Sequence, residues 1–303
     1  MFRSHVRNLA ERASGDNRGD PLVYNVDPDP IGPELMTKWK QLNIDEETRA
    51  FLATCQPDAL RDGMATILRN FMSRTDANGM TGRGKMFVLS MEQLLKLVPS
   101  LGQDPREGRS LLDIGSGDGS ITERFSSMFE RVVTTETSTV MAGKLRARGW
   151  ECYIPPSEEI PHDLFDVITC FNVLDRADKP RSLMKSLVER LVPETGRLVL
   201  AVVLPWCPFV ENGTKQERPS EELNMAGASC RDKASFETSL RGLVLNEISQ
   251  MGLEIVSISR VPYISQGDNY KPYYVLWDSI IVCKRPSPPQ SSEPTQVQGA
   301  QET

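Results

Sequence analysis

Residues Leu111 to Phe125 read LLDIGSGDGSITERF and carry the clearest signal of the fold in this chain. An apolar run leads into a turn with three glycines, and a stretch of helical character follows. Gly115 and Gly117 allow positive φ angles and let a ligand lie against bare backbone. In a doubly wound sheet, the first turn from strand to helix forms the floor of the ligand site. The pattern therefore predicts a ligand at this turn.

The carboxylates of the turn restrict the kind of ligand. Asp113 and Asp118 lie among the glycines, and two carboxylates repel a pyrophosphate but suit a cationic ligand. The spacing also differs from the GxGxxG motif of dinucleotide sites, and the chain contains no GxxxxGK[ST] motif. These features disfavour a nicotinamide-dependent oxidoreductase and a phosphate-binding loop.

An acidic residue at the end of the next strand-like run agrees with a cationic nucleoside. Glu136 closes the run RVVTTE, 23 residues after Asp113, and an acid at about this distance binds the hydroxyls of a ribose. A ligand with a ribose and a positive charge but no phosphate fits S-adenosylmethionine. The turn resembles the DxGxGxG motif of class I methyltransferases. A purely structural tight turn would leave Glu136 unexplained.

Strand-like and helix-like segments alternate from Ser110 onward. The apolar runs are SLLDIG, RVVTTE, FDVITCF, GRLVLAVVLP, LEIVSISRVPY and YYVLWDSIIVCK. Helices are expected at 120–129, 138–148, 178–192 and 236–251. Continuously apolar strands separated by helices indicate a parallel sheet covered on both faces, and the last two strands can pair as an antiparallel hairpin. The predicted fold is α/β, a class I, seven-stranded, Rossmann-like methyltransferase sheet.

Composition divides the chain into four parts. They are a flexible arm at 1–20, an N-terminal helical extension with a GRG loop at 21–100, the methyltransferase domain at 101–285 and a disordered tail at 286–303. Within the extension, residues 58–74 carry one apolar helical face, and Ser90 is the expected N-cap of a further helix. The stretch between them is expected to be a loop.

Composition and charge exclude several classes of protein. The 303 residues are 39% hydrophobic, enough for a core, and the net charge of −6 gives no general attraction to nucleic acid. No apolar run reaches the roughly 18 residues of a membrane span, and we see no apolar secretory signal near the N-terminus. There are two histidines, of which His162 is expected in a solvated loop. A histidine-rich metal site is therefore excluded, and we expect no metal.

The cysteines are scattered and include no CxxC pair; they are Cys55, Cys152, Cys170, Cys207, Cys230 and Cys283. This spacing predicts free thiols in a reducing compartment rather than a disulfide framework or a zinc site. We therefore expect a cytoplasmic protein, and we expect it to be a monomer.

Polar residues follow the run FDVITCF at its carboxyl end, where the reacting groups of such a fold lie. Asn172 can donate and accept hydrogen bonds, which suits the amino-acid end of the cofactor or the incoming substrate. Asp175 belongs either to the site or to a surface ion pair with Arg176, and Asp178 is predicted as a helix N-cap. The chain lacks the [DN]-P-P-[YF] tetrapeptide typical of amide and adenine methylation.

From the GRG loop to Lys284 the chain resembles the DREV family, the methyltransferase-like protein nine group. The stretches that carry the resemblance occur in the same order; they are TDANGMTGRGKMFV, DIGSGDG, TTETS, CFNVLDRADKP, LAVVLPWCPFVEN, RPSE, RVPYISQGDNY and YYVLWDSIIV. The glycine motif is shared by a large superfamily, whereas NVLDR, LPWCPFVEN and the tyrosine-rich end are specific to this family.

The resemblance implies a protein-histidine N-methyltransferase that uses S-adenosylmethionine and modifies the pros nitrogen of histidine in HxH segments preceded by a small residue. It implies that Asp175 and Tyr274 handle the imidazole. The residues expected to bind the cofactor are Asp113, Gly115, Gly117, Glu136, Asn172 and Tyr263. Animal relatives begin with a signal-like apolar segment that we do not find here, so only the family suggests an endoplasmic-reticulum location.

Two loops are expected to shape the substrate groove. In LPWCPFVENGTKQERPSE, Pro205 and Phe209 would form a stiff apolar wall, and Glu211 would attract a histidine-rich, partly cationic peptide. Arg83, in the loop GMTGRGKMFV, is expected in a lid that contacts the substrate. Each loop has a plainer interpretation, as a cover of the sheet edge or as a connector. Tyr274 is equally well explained as a core residue of a strand.

Two other functions stay open at this point. A small-molecule methyltransferase would use the N-terminal helical segment and the two loops to close a pocket. A cofactor-binding scaffold without turnover would keep the fold, although it would be free to lose the glycine turn, Glu136 and Asp175. A product screen of peptides against metabolites separates the two enzymes, and cofactor binding without methylation would identify the scaffold.

Overall fold

The structure, a computed structural model, describes residues 21–55, 84–103, 108–212, 215–267 and 271–286. Several sequence predictions lie outside these ranges. They are the arm at 1–20, the helix at 58–74, the lid residue Arg83 and the tail from residue 287 onward.

The described part of the chain contains one sheet of eight strands and a separate two-stranded hairpin. In chain order the strands are β1 (Met86–Phe87), β2 (Ser110–Ile114), β3 (Arg131–Thr135), β4 (Glu151–Tyr153), β5 (Val167–Phe171), β6 (Arg197–Val203), β7 (Val210–Asn212), β8 (Lys215–Glu217), β9 (Glu254–Gln266) and β10 (Tyr273–Lys284). The order across the sheet is β1-β9-β10-β6-β5-β2-β3-β4, and β7 pairs with β8.

Strand directions confirm the predicted class of fold. Neighbours from β4 through β3, β2 and β5 to β6 are parallel. β10 is inserted between β6 and β9 and is antiparallel to both, so the predicted terminal hairpin is correct. One difference is β1, which pairs with β9 at the sheet edge and makes the sheet one strand wider than expected. The expected loop before Ser90 therefore contains a strand.

Alternate residues of β6 pack into two different cores. Leu198, Leu200 and Val202 belong to the core on one face of the sheet, whereas Val199 and Ala201 belong to the core on the other. Because both faces are covered, nearly every position of the strand is buried. This double burial explains why continuous apolar runs, rather than alternating ones, mark the central strands in the sequence.

Helices cover the sheet. In the described residues they are α1 (Pro28–Ile31), α2 (Pro33–Met36), α3 (Glu46–Thr54), α4 (Met91–Leu97), α5 (Ser100–Gln103), α6 (Glu123–Ser126), α7 (Thr139–Ala147), α8 (Pro180–Glu189) and α9 (Phe236–Leu243). A π-helical segment at Val244–Ile248 and a 3-10 turn at Ser249–Met251 continue α9. Ser90 caps α4, as predicted, and forms a capping box with Gln93.

Two helix predictions differ from the structure. The helix expected at 120–129 is confined to α6, because turns continue from the glycines to Thr122. Asp178 is not the N-cap of α8. Pro180 begins that helix and makes Lys179 the cap residue, and the Asp178 carboxylate accepts hydrogen bonds from Ser220 instead.

The described N-terminal segment packs on both faces of the sheet. Ile31 and Leu35 belong to the core on the α9 side, and Leu42 belongs to the opposite core. Trp39 also forms a parallel bridge with Ile258 of β9. These residues share the two cores of the sheet and build no separate core of their own within the described ranges.

Cys207 and Cys230 form a disulfide, so the prediction that all six thiols are free is wrong. A parallel bridge between Trp206 and Ser229 brings the two segments together, and the cysteine Cα atoms lie 5.4 Å apart. Their separation of 23 residues gives no recognisable signal in sequence. Because disulfides are typical of oxidising compartments, the cysteines no longer support a cytoplasmic location. In the described residues, no helix is long and apolar enough to cross a membrane.

Candidate active site

The two predicted parts of the site, the glycine turn and the segment that begins at Asn172, meet at the switch point of the sheet between β2 and β5. The glycine turn follows β2, and Asn172 follows β5, so both lie at the carboxyl ends of parallel strands. The two segments touch, because a methyl group added to Gly115 would come within 2.4 Å of a side-chain carbon of Val173. Glycine is therefore required at this point of contact.

The glycine turn has the open geometry that the sequence predicts. Gly115 and Gly117 have φ angles of 67° and 58°, in the left-handed region that favours glycine. A methyl group added at Gly117 would meet no heavy atom of the described residues within 4 Å. The turn is tied to β3, because Gly115 donates its N–H to Thr135 Oγ1 at 3.1 Å. Its backbone is thus fixed and open on one side.

Glu136 lies at the end of β3, as predicted, and is buried. Its Oε2 accepts from the N–H of Gly117 at 2.9 Å, and its Oε1 accepts from the N–H of Ser138 at 2.9 Å. Oε1 also accepts from the Thr137 hydroxyl at 3.4 Å, whereas Oε2 can accept a second hydrogen bond. The carboxylate is therefore held rigidly, and its Oε2 can still receive a ribose hydroxyl.

Asp113 lies beneath the turn. Its two carboxylate oxygens accept from the hydroxyls of Thr122 and Thr169, each at 2.5 Å. Burial raises the pKa of this carboxyl group above its ordinary range, while the two threonine hydroxyls act in the opposite direction. In the structure Asp113 fastens β2 to β5 and to the end of the turn, and a direct contact with cofactor stays a prediction.

Asn172 has a residue partner that the sequence reasoning missed. Its Nδ2 donates to Oδ2 of Asp278, a fully buried residue of β10, at 2.8 Å. Asn172 also has a φ of 57°, an uncommon conformation for a residue with a side chain. The signal available in sequence was a lone aspartate inside the apolar run YYVLWDSIIVCK.

Asp175 is buried, with 2% of its surface exposed, although it lies in the 3-10 turn Leu174–Arg176. Arg176 pairs with it at 2.9 Å between N and O, and the Arg176 guanidinium carbon lies 3.8 Å from the ring centroid of Phe209. The N–H of Phe209 donates to the carbonyl of Asp175 at 3.1 Å. The ion pair with Arg176 therefore exists, but its carboxylate lies inside the protein and not on the surface.

Tyr263 and Tyr274 lie on one face of the sheet. Tyr263 is opposite Leu276, which is two residues from Tyr274 along β10. Tyr263 is buried and its hydroxyl donates to the sulfur of Met86. Burial raises the pKa of the Tyr263 hydroxyl. Tyr263 is therefore a neutral, packed residue in this structure.

Tyr274 lies beyond the edge at which the parallel strands end because β10 runs in reverse. Asp278 pairs with Val203 at the carboxyl end of β6, so the residues before it extend beyond the edge at which the parallel strands end. Tyr274 is half-buried, and the ammonium of Lys271 lies 5.9 Å from its ring centroid. The strand direction thus brings Tyr274 to the same edge as Asp175.

The structure distributes the predicted substrate residues unevenly. Pro205 and Phe209 follow β6. Phe209 is buried and contacts Asp175, and Pro205 is half-buried. Glu211 is exposed on β7. His162, expected in a solvated loop, is exposed, and its Nε2 lies 3.1 Å from Oε1 of Glu159.

The residues at this edge fit S-adenosylmethionine. The open side of Gly117 admits a flat nucleoside, and Glu136 offers an acceptor for a ribose hydroxyl. Asn172 Oδ1 is buried and has no hydrogen-bond partner among the described residues, which suits a bound donor such as an ammonium group. None of these groups requires a ligand that carries a phosphate.

Known proteins match parts of the chain. The mitochondrial ubiquinone biosynthesis O-methyltransferase of Schizosaccharomyces pombe is 34% identical over 107 residues, which cover 32% of this chain and 38% of that protein. The uncharacterized methyltransferase C70.08c of the same organism is 34% identical over 98 residues, which cover 29% and 38%. The chain therefore spans less than half the length of each relative.

A solved structure and a family profile complete the comparison. The N-methyltransferase NodS from Bradyrhizobium japonicum, crystallised with S-adenosyl-L-homocysteine, is 19% identical, with a TM-score of 0.40, over 65% of this chain and 85% of that one. The profile of the DREV methyltransferase family matches residues 24–285, which include the whole sheet and the site. S-adenosylmethionine is accordingly the expected cofactor. The chain belongs to the DREV methyltransferase family.

Proposed function

We propose that this protein transfers the methyl group of S-adenosylmethionine to the pros nitrogen of histidine, in HxH segments preceded by a small residue. The observation that carries the proposal is the buried carboxylate of Asp175 beside the stacked pair of Arg176 and Phe209. A carboxylate next to an aromatic wall suits a flat ring that carries an N–H group. The family resemblance supports histidine as that ring.

Methylation of histidine requires that the imidazole be oriented, and it requires no strong general base. A neutral imidazole is already a nucleophile, and its pKa of about 6.5 leaves it mostly unprotonated at neutral pH. When bound, S-adenosylmethionine supplies an electrophilic methyl group. The protein must then point one ring nitrogen at that methyl carbon and hold it there.

Asp175 is the residue that we assign to this orientation. Its carboxylate accepts the N–H of the tele nitrogen, which fixes the tautomer and leaves the lone pair of the pros nitrogen free. As positive charge develops on the ring, the same carboxylate stabilises it. Burial strengthens this interaction, because water does not screen a carboxylate that is 2% exposed.

The surrounding residues shape the acceptor site. Tyr274 contributes a hydroxyl or a ring face at the same edge, and Phe209 with Pro205 forms an apolar wall. Glu211, exposed on β7, attracts a partly cationic peptide. Arg83, which lies outside the described residues, is assigned to a lid that contacts the substrate.

Small-molecule O-methylation is the second candidate. It is supported by the 34% identity over 107 residues with the ubiquinone biosynthesis O-methyltransferase. Such an enzyme must remove a proton from its acceptor hydroxyl, whereas a neutral imidazole needs no such base. The two candidates therefore differ in their product, and only the O-methyltransferase requires a general base at the acceptor.

Mass spectrometry of products tests the proposal directly. The protein is incubated with S-adenosylmethionine and a peptide of alternating histidines that follow a small residue, beside a lysine- and arginine-rich peptide and a panel of phenols. We expect a gain of one methyl group on histidine only. Hydrolysis and chromatography against pros- and tele-methylhistidine standards then identify the nitrogen.

Asp175→Asn is run in parallel with Asp178→Asn as a matched control, because Asp178 is exposed and its carboxylate accepts hydrogen bonds from Ser220. We expect the first variant to lose activity by about a hundredfold, the size of a lost charge-assisted hydrogen bond, and the second to keep it. A methylated phenol with unmodified peptides would favour the second candidate. Cofactor binding with no product would favour the scaffold.

A further inference from the structure

Asp278 is an unusual residue for the centre of a sheet. It is fully buried on β10, and one hydrogen bond, from Asn172, is recorded for its carboxylate. Its Oδ1 is buried without a hydrogen-bond partner among the described residues. A buried carboxylate that is only partly satisfied destabilises a fold. Its presence therefore calls for a reason other than stability.

The carboxylate fixes the orientation of its partner. The ionised Asp278 carboxylate only accepts hydrogen bonds, and the Asn172 side chain turns its NH2 group towards it. The amide oxygen then points away from Asp278, and this oxygen is buried with no hydrogen-bond partner in the described part of the chain. With Asp278 ionised, the amide oxygen of Asn172 is the end that is left for a ligand.

The backbone of Asn172 is also held in place. Its φ of 57° lies in the left-handed region, which asparagine adopts more readily than most residues, and its N–H donates to the carbonyl of Ala201 at 2.8 Å. It lies between the glycine turn, which the next residue Val173 touches, and Asp175. Asn172 therefore stands between the two segments that are expected to hold the cofactor and the acceptor substrate.

We propose that Asp278 is a positioning residue that fixes the carboxamide of Asn172, so that Asn172 Oδ1 receives an N–H donor of a bound ligand. The donor is the α-ammonium of S-adenosylmethionine or an N–H of the acceptor peptide other than the imidazole N–H, which Asp175 accepts. The second source rests on the proposed function, whereas the first requires only the cofactor. Asp278 itself touches no ligand in this proposal.

An exchange of the two side-chain types tests the proposal. In Asp278→Asn two carboxamides face each other, and either can turn its NH2 group to the other. The amide at 172 then presents its NH2 group to the ligand in part of the molecules. In the double variant Asn172→Asp with Asp278→Asn, the new amide donates to the new carboxylate, and an acceptor faces the ligand again.

We expect Asp278→Asn to weaken the relevant ligand by about twofold or more, because binding must select the molecules whose amide oxygen at position 172 still faces it. The double variant should return to the affinity of the parent. Ser279→Ala is the matched control, because Ser279 is the adjacent, equally buried residue of the same strand. Melting temperatures establish that all variants are folded.

Two arms identify the donor. Calorimetry with S-adenosyl-L-homocysteine, which carries the α-ammonium, reports the cofactor arm without any acceptor. The KM for the histidine peptide and kcat report the acceptor arm. A change confined to one arm assigns the donor to that ligand.

The proposal is overturned if Asp278→Asn behaves like the parent in both arms, or if the double variant is folded yet no better than the single one. If the parent methylates no histidine peptide, the proposed function fails and the cofactor arm decides alone. An unchanged cofactor affinity then overturns the positioning role as well.

Discussion

The carboxylate of Glu136 accepts a hydrogen bond from the backbone N–H of Gly117 at 2.9 Å, across 19 residues of sequence. The contact joins the end of β3 to the open part of the glycine turn. It holds the acidic group and the bare backbone as one rigid unit. Both halves of the expected nucleoside site therefore depend on this one carboxylate.

Glu136→Gln should weaken cofactor binding by about tenfold. The NH2 group of the new glutamine would face a backbone N–H, such as that of Gly117, and it cannot accept a hydrogen bond from a ribose hydroxyl. Calorimetry with S-adenosyl-L-homocysteine measures the effect. Glu189→Gln, on the exposed face of α8, is the control and should bind normally. An unaltered affinity in Glu136→Gln would exclude the ribose role.

Tyr274→Phe should lower kcat for the histidine peptide by about tenfold while cofactor affinity stays unchanged, because one hydrogen bond to the acceptor is lost. Its neighbour Tyr273 packs against a different apolar cluster, around Phe51 and Phe87. Tyr273→Phe is thus a matched control and should keep normal turnover. Equal losses in both variants would mean that Tyr274 is a core residue.

Asp278→Asn should become more stable relative to the parent as the pH rises from about 4 to 8. Burial raises the pKa of Asp278, with Asp175 acting in the same direction and Arg176 in the opposite one. Tyr263, the other titratable group nearby, is neutral in this range. Above the unfolded value of about 3.9, the folded parent binds more protons than the unfolded chain, so its stability falls as the pH increases.

Thermal unfolding at several pH values measures this difference for Asp278→Asn. A variant that is less stable than the parent by the same amount at pH 4 and pH 8 would show that the carboxylate supports the fold. A gain in stability together with weaker ligand binding is the combination that a positioning residue predicts.

Removal of the disulfide by Cys207→Ser with Cys230→Ser should lower the free energy of unfolding by about 3 kcal/mol, from the larger entropy of the unfolded chain. Denaturant titration with and without reductant measures it, and the double variant should not respond to reductant. A thiol assay of the denatured parent should find four thiols before reduction and six after it, since two of the six cysteines are bonded. Six thiols before reduction would contradict the pairing.

Those parts of the site that depend on local chemistry could be predicted from the amino-acid sequence. The glycine turn requires positive φ angles at Gly115 and Gly117, and only glycine adopts them readily. Glu136 and Asn172 follow apolar runs that are long enough for one strand each, and strand ends of a parallel sheet meet at one edge. Local pattern was therefore sufficient for the sheet class, the terminal hairpin and the cofactor.

Tertiary structure alone decided the contacts between distant segments. Asp278 meets Asn172 across 106 residues, because β10 inserts beside β6 in reverse direction. Cys207 and Cys230 are joined because the loop after β6 lies against the segment before α9. No spacing in the chain encodes these pairs, since each depends on the order in which strands assemble. The buried state of Asp175 likewise follows from the packing of Phe209 on Arg176.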